Sequence, residues 1–525
     1  MKKAETVAGK ATRNSYYSML ASGWYLGSRF LLTPFILHYL TLAEYGLWSL
    51  CFVVISFLAL TSTGLESTYI KYVAEFHARQ EVERANRLLS TGLLLTCIAS
   101  LVLMTGMWLG MGLLLDVLNI EPELRGMAGL LFMGTGLVFM LDISFNCFGR
   151  ALDGMQHMVL TAKVRLLTSF LELLLIVVFL LAGFGVFGMM AAFLVRYLLA
   201  IVINMVFAYR LVPGLAIRLR YCDRPSLTLL LSYGGKMQLL AIINIFMSTF
   251  DRLIITRMLG LAATGIYEIG RKMPFTGARI PSDISGVVMP LMSQLQGQGD
   301  MAQARGLFVD SSRYMGMLTA ILFTYLMAVA PWAIQVWLGD GYQEAVAVMY
   351  VVSAGKLIHL LTGTSSAAAR GFARLGWEIR YSVVNVVLCL VMTPPLAYSL
   401  GLVGAALGVA GSTAIASCYF IVLTNQFFRI SPREYLRQIL HPVLVCVFSG
   451  AMLFLALTWL LSAASYGRFW LAGILAGAGL VQVAVSLVLL LVTGGVRAGE
   501  KAWVRQKVLG VMGAKVADAS AGGAK

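Results

Sequence analysis

The segment STFDRLIITRMLGLAATGIYEIGRK, residues 248–272, carries Asp251, Arg252, Arg257, Glu268, Arg271 and Lys272 between long apolar runs. A charge near the centre of a bilayer costs about 2.5–3.5 kcal/mol on insertion scales unless it is paired or meets water. Such groups hold helices together or line a polar path, which makes them the first candidates for chemistry. Nine basic residues fall within apolar runs: Arg29, Arg196, Lys236, Arg252, Arg257, Arg271, Lys272, Arg279 and Lys356. Five acidic residues accompany them: Asp142, Glu172, Asp251, Glu268 and Asp283. Purely structural pairs would cancel, so the positive excess points to a wet cavity that receives an anion.

Helical spacing sharpens this for the run after residue 260. At about 100° per residue, Glu268, Lys272, Arg279 and Asp283 fall on one stripe about 60° wide, with Thr276 beside it and isoleucines elsewhere. Pro274 and Pro281 interrupt the backbone there and free carbonyls that can join a polar lining. The alternative is a local Glu268–Lys272 pair at i,i+4 with snorkelling ends. Asp251 and Arg252 are adjacent and point about 100° apart, so one can face a cavity while the other grips a neighbouring helix. Arg257 lies near a span end and can snorkel. Arg29, ahead of Pro34, is the candidate cavity cation of the first half. Asp142 and Glu172 are candidates for proton or sodium coupling, or for structural pairing with Arg196 or Lys163.

The elements that must position these groups are membrane helices. Of 525 residues, 59% are hydrophobic and 12% charged, and mean hydropathy is +0.83. Soluble domains carry about 25% charged residues. Apolar runs of helix length, rather than the short alternation of barrel strands, predict an all-α polytopic protein. Fourteen spans are expected: 16–40, 45–64, 91–115, 127–147, 167–183, 187–208, 233–259, 262–290, 312–338, 345–367, 381–398, 403–426, 442–462 and 469–493. With the N-terminus inside, alternate links hold 29 of the 40 Lys and Arg, while the opposite links hold only Arg125 and Arg468. That asymmetry places both ends in the cytoplasm and accounts for the formal charge of +16 without nucleic acid. The first apolar run is expected to stay as a helix, since no cleavage site is evident. Seven scattered cysteines and five dispersed histidines suggest no disulfide set, and no metal site, cofactor or catalytic residue is expected.

The chain also repeats itself. HYLTLAEYGLWSL (38–50) aligns with RMLGLAATGIYEI (257–269), matching Leu40, Leu42, Ala43 and Gly46 to Leu259, Leu261, Ala262 and Gly265. GVFGMMAAF (185–193) aligns with GLVGAALGV (401–409), matching Gly185 and Gly188 to Gly401 and Gly404. RANRLL (84–89) and QARGLF (303–308), and YRL (209–211) and FRI (428–430), keep nearly the same offset. Six spans separate the copies, and an even number preserves orientation, so parallel repeats with binding between the halves near midplane are expected. The expected organisation is a cytoplasmic tail 1–15, a first lobe 16–210, a basic linker 211–232, a second lobe 233–430, a helix pair 431–495 and a basic cytoplasmic tail 496–525. The fold is thus two parallel six-helix lobes plus a C-terminal helix pair.

The DR…LG…TGIY run at 251–267, its counterpart LTLAEYGLW and the GLVGAALG turn resemble oligosaccharide flippases. These form the polysaccharide-transport branch of the multidrug/oligosaccharidyl-lipid/polysaccharide exporter superfamily. The resemblance covers essentially the whole chain. It implies an alternating-access carrier of a polyprenyl-diphosphate-linked oligosaccharide in a bacterial inner membrane, among membrane lipids and other polysaccharide-assembly proteins. Asp251 matches the family's acidic position in the seventh span, and Gly260, Gly265 and Tyr267 match the following turn. Arg29, Lys272 and Arg279 rest on the helix argument and not on a motif. The alternatives are a drug–cation antiporter of the same superfamily, which would favour an acidic interior, and a membrane glycan polymerase or glycosyltransferase. The latter usually places its chemistry in a large outer loop, and the outward links here are all short. No GxxxxGK[ST] phosphate loop occurs.

Overall fold

A computed structural model describes residues 7–212, 214–462 and 467–495. The expected tail 496–525, the first six residues of the tail 1–15 and the side chain of Lys236 lie outside the described residues. Among those described, every regular element is helical. This is the outcome that a long apolar chain favours in lipid, because a helix satisfies its own backbone. Most expected spans fall on one helix, while 45–64, 91–115, 262–290 and 345–367 each cross a break between helices. Ten helical stretches are long and apolar enough to cross a membrane among the described residues.

The first part of the chain forms α1 (Val7–Tyr39), α2 (Leu42–Leu58), α3 (Thr63–Ala78), α4 (Val82–Leu109), α5 (Met111–Val117), α6 (Arg125–Gly154), α7 (Met158–Leu181), α8 (Gly185–Leu211) and α9 (Arg224–Gly277). The second part forms α10 (Arg279–Ser285), α11 (Val288–Gln298), α12 (Met301–Leu338), α13 (Gln343–Leu360), α14 (Gly363–Gly371), α15 (Leu375–Phe427), α16 (Pro432–Tyr435), α17 (His441–Ser462) and α18 (Arg468–Val492). Two compact units result: Met1–Lys272 with Ser382–Ser412, and Met273–Tyr381 with Thr413–Lys525.

α9 and α15 each contain a fold-back. Gly260 adopts φ 83° and ψ −179°, and Gly401 φ 60° and ψ −138°. Twenty residues of straight helix would separate Asp251 from Arg271 by about 30 Å. Instead Arg271 Nη1 lies 3.0 Å from the Asp251 carboxylate, and Thr256 and Thr264 share a 2.8 Å hydroxyl contact. These pairs are symmetric about Gly260, so α9 is an antiparallel hairpin whose turn needs a residue free to take positive φ. In α15 a Cβ on Gly404 would sit 1.9 Å from the Leu396 carbonyl oxygen, so its two arms touch almost backbone to backbone. The expected repeat is visible here as well, because Gly185 at the head of α8 has φ +53°, close to Gly401.

In the first unit α6 is the central post, packed against α2, α3, α4 and α8. The connection 214–223 is tied along the start of α4. Asn86 donates to the Gly214 carbonyl and accepts from the Ala216 amide at 2.8 and 3.0 Å. Ser90 and Thr91 hydroxyls accept from the amides of Arg218 and Asp223, each at 3.1 Å. Val212 and Leu215 are buried in the cluster formed by Tyr69, Leu88, Leu89 and Leu152. Burial opposes the charged form of Asp223, but Ser226 and the Arg87 guanidinium outweigh it and hold the carboxyl below its ordinary value.

In the second unit α12 is the post, with α13, α17 and α18 against it. The C-terminal pair α17–α18 is seated by apolar contacts of Leu453, Leu457, Leu475 and Ala478 with Ala328 and Val329. A buried polar patch of Gln482, Thr324, Ser449 and Ser486 adds to them, with the two serine hydroxyls 2.7 Å apart. Interhelical bonds of this kind contribute about 0.6–2 kcal/mol each in membranes.

Candidate functional site

The first unit gathers most of the charged residues singled out in the sequence. On α1, Tyr25, Arg29 and Thr33 recur every fourth residue and so share a face. Arg29 Nη2 lies 2.5 Å from one oxygen of Glu172 on α7, and Arg196 Nη1 on α8 lies 2.9 Å from the other. The Glu172 side chain is only 2% exposed. Both guanidinium groups sit over the Tyr25 ring, at 5.3 and 4.8 Å from its centroid. Burying three ions is tolerated because the carboxylate is shared and the cations also lie against a π face. The triad keeps one positive charge in excess.

The α9 hairpin supplies the second group. Asp251 accepts from the Tyr267 hydroxyl at 2.8 Å and from Arg271 at 3.0 Å, and it is 5% exposed. It therefore clasps the two arms of the hairpin. Glu268 stands 3.9 Å from both Arg252 and Arg271. Glu268 Oε2 and Arg252 Nε are buried without a hydrogen-bond partner among the described residues. Lys272 is tied across to the first hairpin, α1–α2. Its ammonium donates to Thr33 Oγ1 at 2.5 Å and to the Tyr45 hydroxyl at 3.3 Å. Arg29 and Glu268 both remain within electrostatic reach of Lys272, which joins the two groups.

The same neighbourhood contains a close crossing of repeat-matched residues. A Cβ on Gly46 would lie 2.1 Å from the Leu261 carbonyl oxygen, and one on Gly265 would lie 2.4 Å from that of Leu42. Residue 42 matches 261 and residue 46 matches 265, so the contact is reciprocal, as across a two-fold axis. Only glycine lets two helices approach this closely.

The candidates of the sequence therefore divide. Arg29, Asp251, Arg252, Glu268 and Lys272 come together in the first unit, with Glu172 tied to Arg29. Arg279 and Asp283 lie in the second unit on the short helix α10, both exposed. A turn at Ala278 separates α9 from α10, between Lys272 and these two residues. Arg257 is exposed. Asp142 lines a cavity of about 550 Å³ in the first unit, with Arg150, Asp153, Arg165 and Asn204, and Arg196 of the triad borders it. Sequence reasoning passed over Tyr25, Thr33 and Tyr45 as partners. For Tyr25 and Thr33 the signal was the four-residue spacing around Arg29, which charge counting ignores, and Tyr45 on α2 carried none.

The first unit thus sets Arg29, Arg196, Arg252, Arg271 and Lys272 against Glu172, Asp251 and Glu268 within apolar helices. The fold that holds them is that of membrane transporters. An inward closed structure of the lipid II flippase MurJ matches with TM-score 0.66 at 10% identity, over 91% of this chain and 97% of that one. An inward-facing multidrug resistance MATE family transporter of the MOP superfamily matches with TM-score 0.64 at 16% identity, over 79% and 94%. A MOP superfamily transporter from Pyrococcus furiosus, described with a binding pocket of reverse polarity, matches with TM-score 0.57 at 16% identity, over 80% and 96%. In sequence, the membrane protein EpsK of Bacillus subtilis (strain 168), itself uncharacterized, is 22% identical over 431 residues, 80% of this chain and 84% of EpsK. The model of the polysaccharide biosynthesis protein family matches residues 38–347. The chain belongs to that family.

Proposed function

We propose that this protein is a flippase that moves a polyprenyl-diphosphate-linked oligosaccharide from the inner to the outer leaflet by alternating access. Its product would feed a surface polysaccharide such as O-antigen, capsule or exopolysaccharide. One observation carries the reading: five cations face three carboxylates in a membrane-embedded cluster of a polysaccharide biosynthesis family member. A diphosphate brings negative charge into apolar surroundings, and a preformed cationic excess offsets its desolvation. Arg29, Arg252 and Lys272 are the proposed contacts of the diphosphate, with Glu268 orienting them and Asp251 fixing the hairpin. Arg279 and Asp283 remain candidates for anion contact within the second unit.

The MurJ and MATE neighbours have nearly equal TM-scores, so fold alone does not separate a lipid-linked cargo from a drug cation. Charge favours the anionic cargo. For ion coupling, Glu172 is committed to two arginines, which makes Asp142 the better candidate. The protein would lie in a bacterial inner membrane with both termini in the cytoplasm, consistent with the asymmetry of Lys and Arg between links. Depletion in the native host, followed by extraction of lipid-linked sugars, tests the function. Build-up of a polyprenyl-diphosphate oligosaccharide on the inner leaflet is expected. Unchanged lipid-linked pools together with new sensitivity to cationic drugs would replace the flippase with the antiporter.

A further inference from the structure

The connection between α8 and α9 is fastened, yet it shows its least water-compatible residue to the outside. Its backbone is held by Asn86, Ser90 and Thr91 of α4 as described, and Leu215 anchors it from beneath. Leu219, in a single 3₁₀ turn at Leu219–Tyr221, is nevertheless 75% exposed. Arg218, Arg220 and Arg224 around it are exposed too. The Arg220 guanidinium lies 5.1 Å from the centre of the Tyr221 ring. Arg218 and Arg224 enter no ion pair among the described residues. Asp223, the one acidic residue of the connection, is turned toward Arg87 at 3.5 Å.

An apolar tip ringed by arginines and backed by tyrosine is the composition of a segment that rests in a headgroup layer. The connection begins and ends on membrane helices, which keeps it at the bilayer edge. A fixed backbone also means that only the arginine side chains, and not the loop itself, are ordered on binding. We infer that Arg218, Leu219, Arg220 and Arg224 form a docking surface for anionic phospholipid, the arginines on the phosphate diesters and Leu219 in the acyl boundary. This rests on the proposed orientation, which places the connection at the cytoplasmic leaflet. Apolar and electrostatic contacts are individually weak here and are effective only together.

The test uses the full chain with its native cysteines replaced by serine or alanine and Leu219→Cys carrying an environment-sensitive fluorophore, reconstituted in phosphatidylcholine vesicles with or without one quarter phosphatidylglycerol. Shallow doxyl-lipid quenching is expected with phosphatidylglycerol and much less without it. Native mass spectrometry of the unlabelled protein should show at least about tenfold less retained phosphatidylglycerol for Arg218→Gln/Arg220→Gln/Arg224→Gln. The charge-conserving Arg218→Lys/Arg220→Lys/Arg224→Lys should keep retention within a few-fold of wild type. A fluorophore that stays aqueous in both vesicles overturns the proposal, as does equal lipid retention by the two triple variants. Displacement of phosphatidylglycerol by millimolar inorganic phosphate would assign the arginines to a soluble anion instead. Labelling of the Leu219→Cys variant by an impermeant maleimide from the outer side of intact cells would overturn the orientation but not the lipid contact.

Discussion

In the α1–α2 hairpin, Leu42 and Gly46 stand where Leu261 and Gly265 stand in the α9 hairpin, and each glycine packs on the other copy's leucine carbonyl. The turns differ. The first is closed by a capping box, with the Glu44 amide donating to Thr41 Oγ1 and the Glu44 carboxylate accepting from the Thr41 amide. The second is closed by Gly260 at positive φ. Their charges differ more. The α9 hairpin neutralises itself locally through Asp251, Arg271, Arg252 and Glu268. Arg29 of the first hairpin must reach Glu172, 143 residues away, and share it with Arg196. Duplication has kept the backbone contact and let the ion pairs diverge from a local to a long-range solution.

Breaking the long-range solution should cost most. Glu172→Leu leaves Arg29 and Arg196 buried without their carboxylate, and a loss of about 3–5 kcal/mol is expected, read as a lower thermal midpoint in detergent. Asp251→Asn should cost clearly less, because Arg271 keeps Glu268 within 3.9 Å. Equal losses would mean that local and shared pairing are equivalent. Next in size is the crossing itself. Gly46→Val or Gly265→Val drives a side chain into a carbonyl, and about 1–3 kcal/mol of destabilisation is expected from overpacking. The reciprocal contact predicts similar values for the two variants in the same melting assay.

Lys272→Met tests function more than stability. Export of lipid-linked glycan, scored by surface polysaccharide, should fall at least about tenfold if Lys272 supplies a charge-assisted contact of some 1.5–3 kcal/mol to the cargo. Membrane insertion should stay normal. Full export by Lys272→Met/Arg279→Ala would remove both from the site. Arg257→Gln is the smallest change, expected within about 0.5 kcal/mol of wild type in the melting assay because it alters an exposed position.

Much of this frame was legible in the sequence because it is written in hydropathy and glycine. The spans follow from apolar length, and the turn at Gly260 from the match of LTLAEYG to LGLAATG. Charge counting found most of the cluster, since charges inside apolar helices are rare enough to stand out. It could not show which partner each charge would choose. Lys272 is tied to Thr33 and Tyr45, which are more than two hundred residues distant in sequence. Neutral hydroxyls carry no charge signature, and packing decides whether they are near. The break after Gly277 was hidden for a related reason. Pro274 and Pro281 announce an interruption, but a helical wheel continues through it and kept Arg279 and Asp283 on the stripe of Lys272. The fastening of residues 214–223 to α4 depends on Asn86, Ser90 and Thr91, whose residue types are ordinary on any polar helix face.

The crossing at Gly46 and Gly265 also bears on leakage. A membrane transporter must refuse a file of waters, since protons move along such files. Side-chain packing leaves crevices that breathe, whereas here backbone meets backbone with no side chain between. Where Gly46 and Gly265 rest on the carbonyls of Leu261 and Leu42, no gap of water width remains. Glycine, the smallest residue, is what allows that contact.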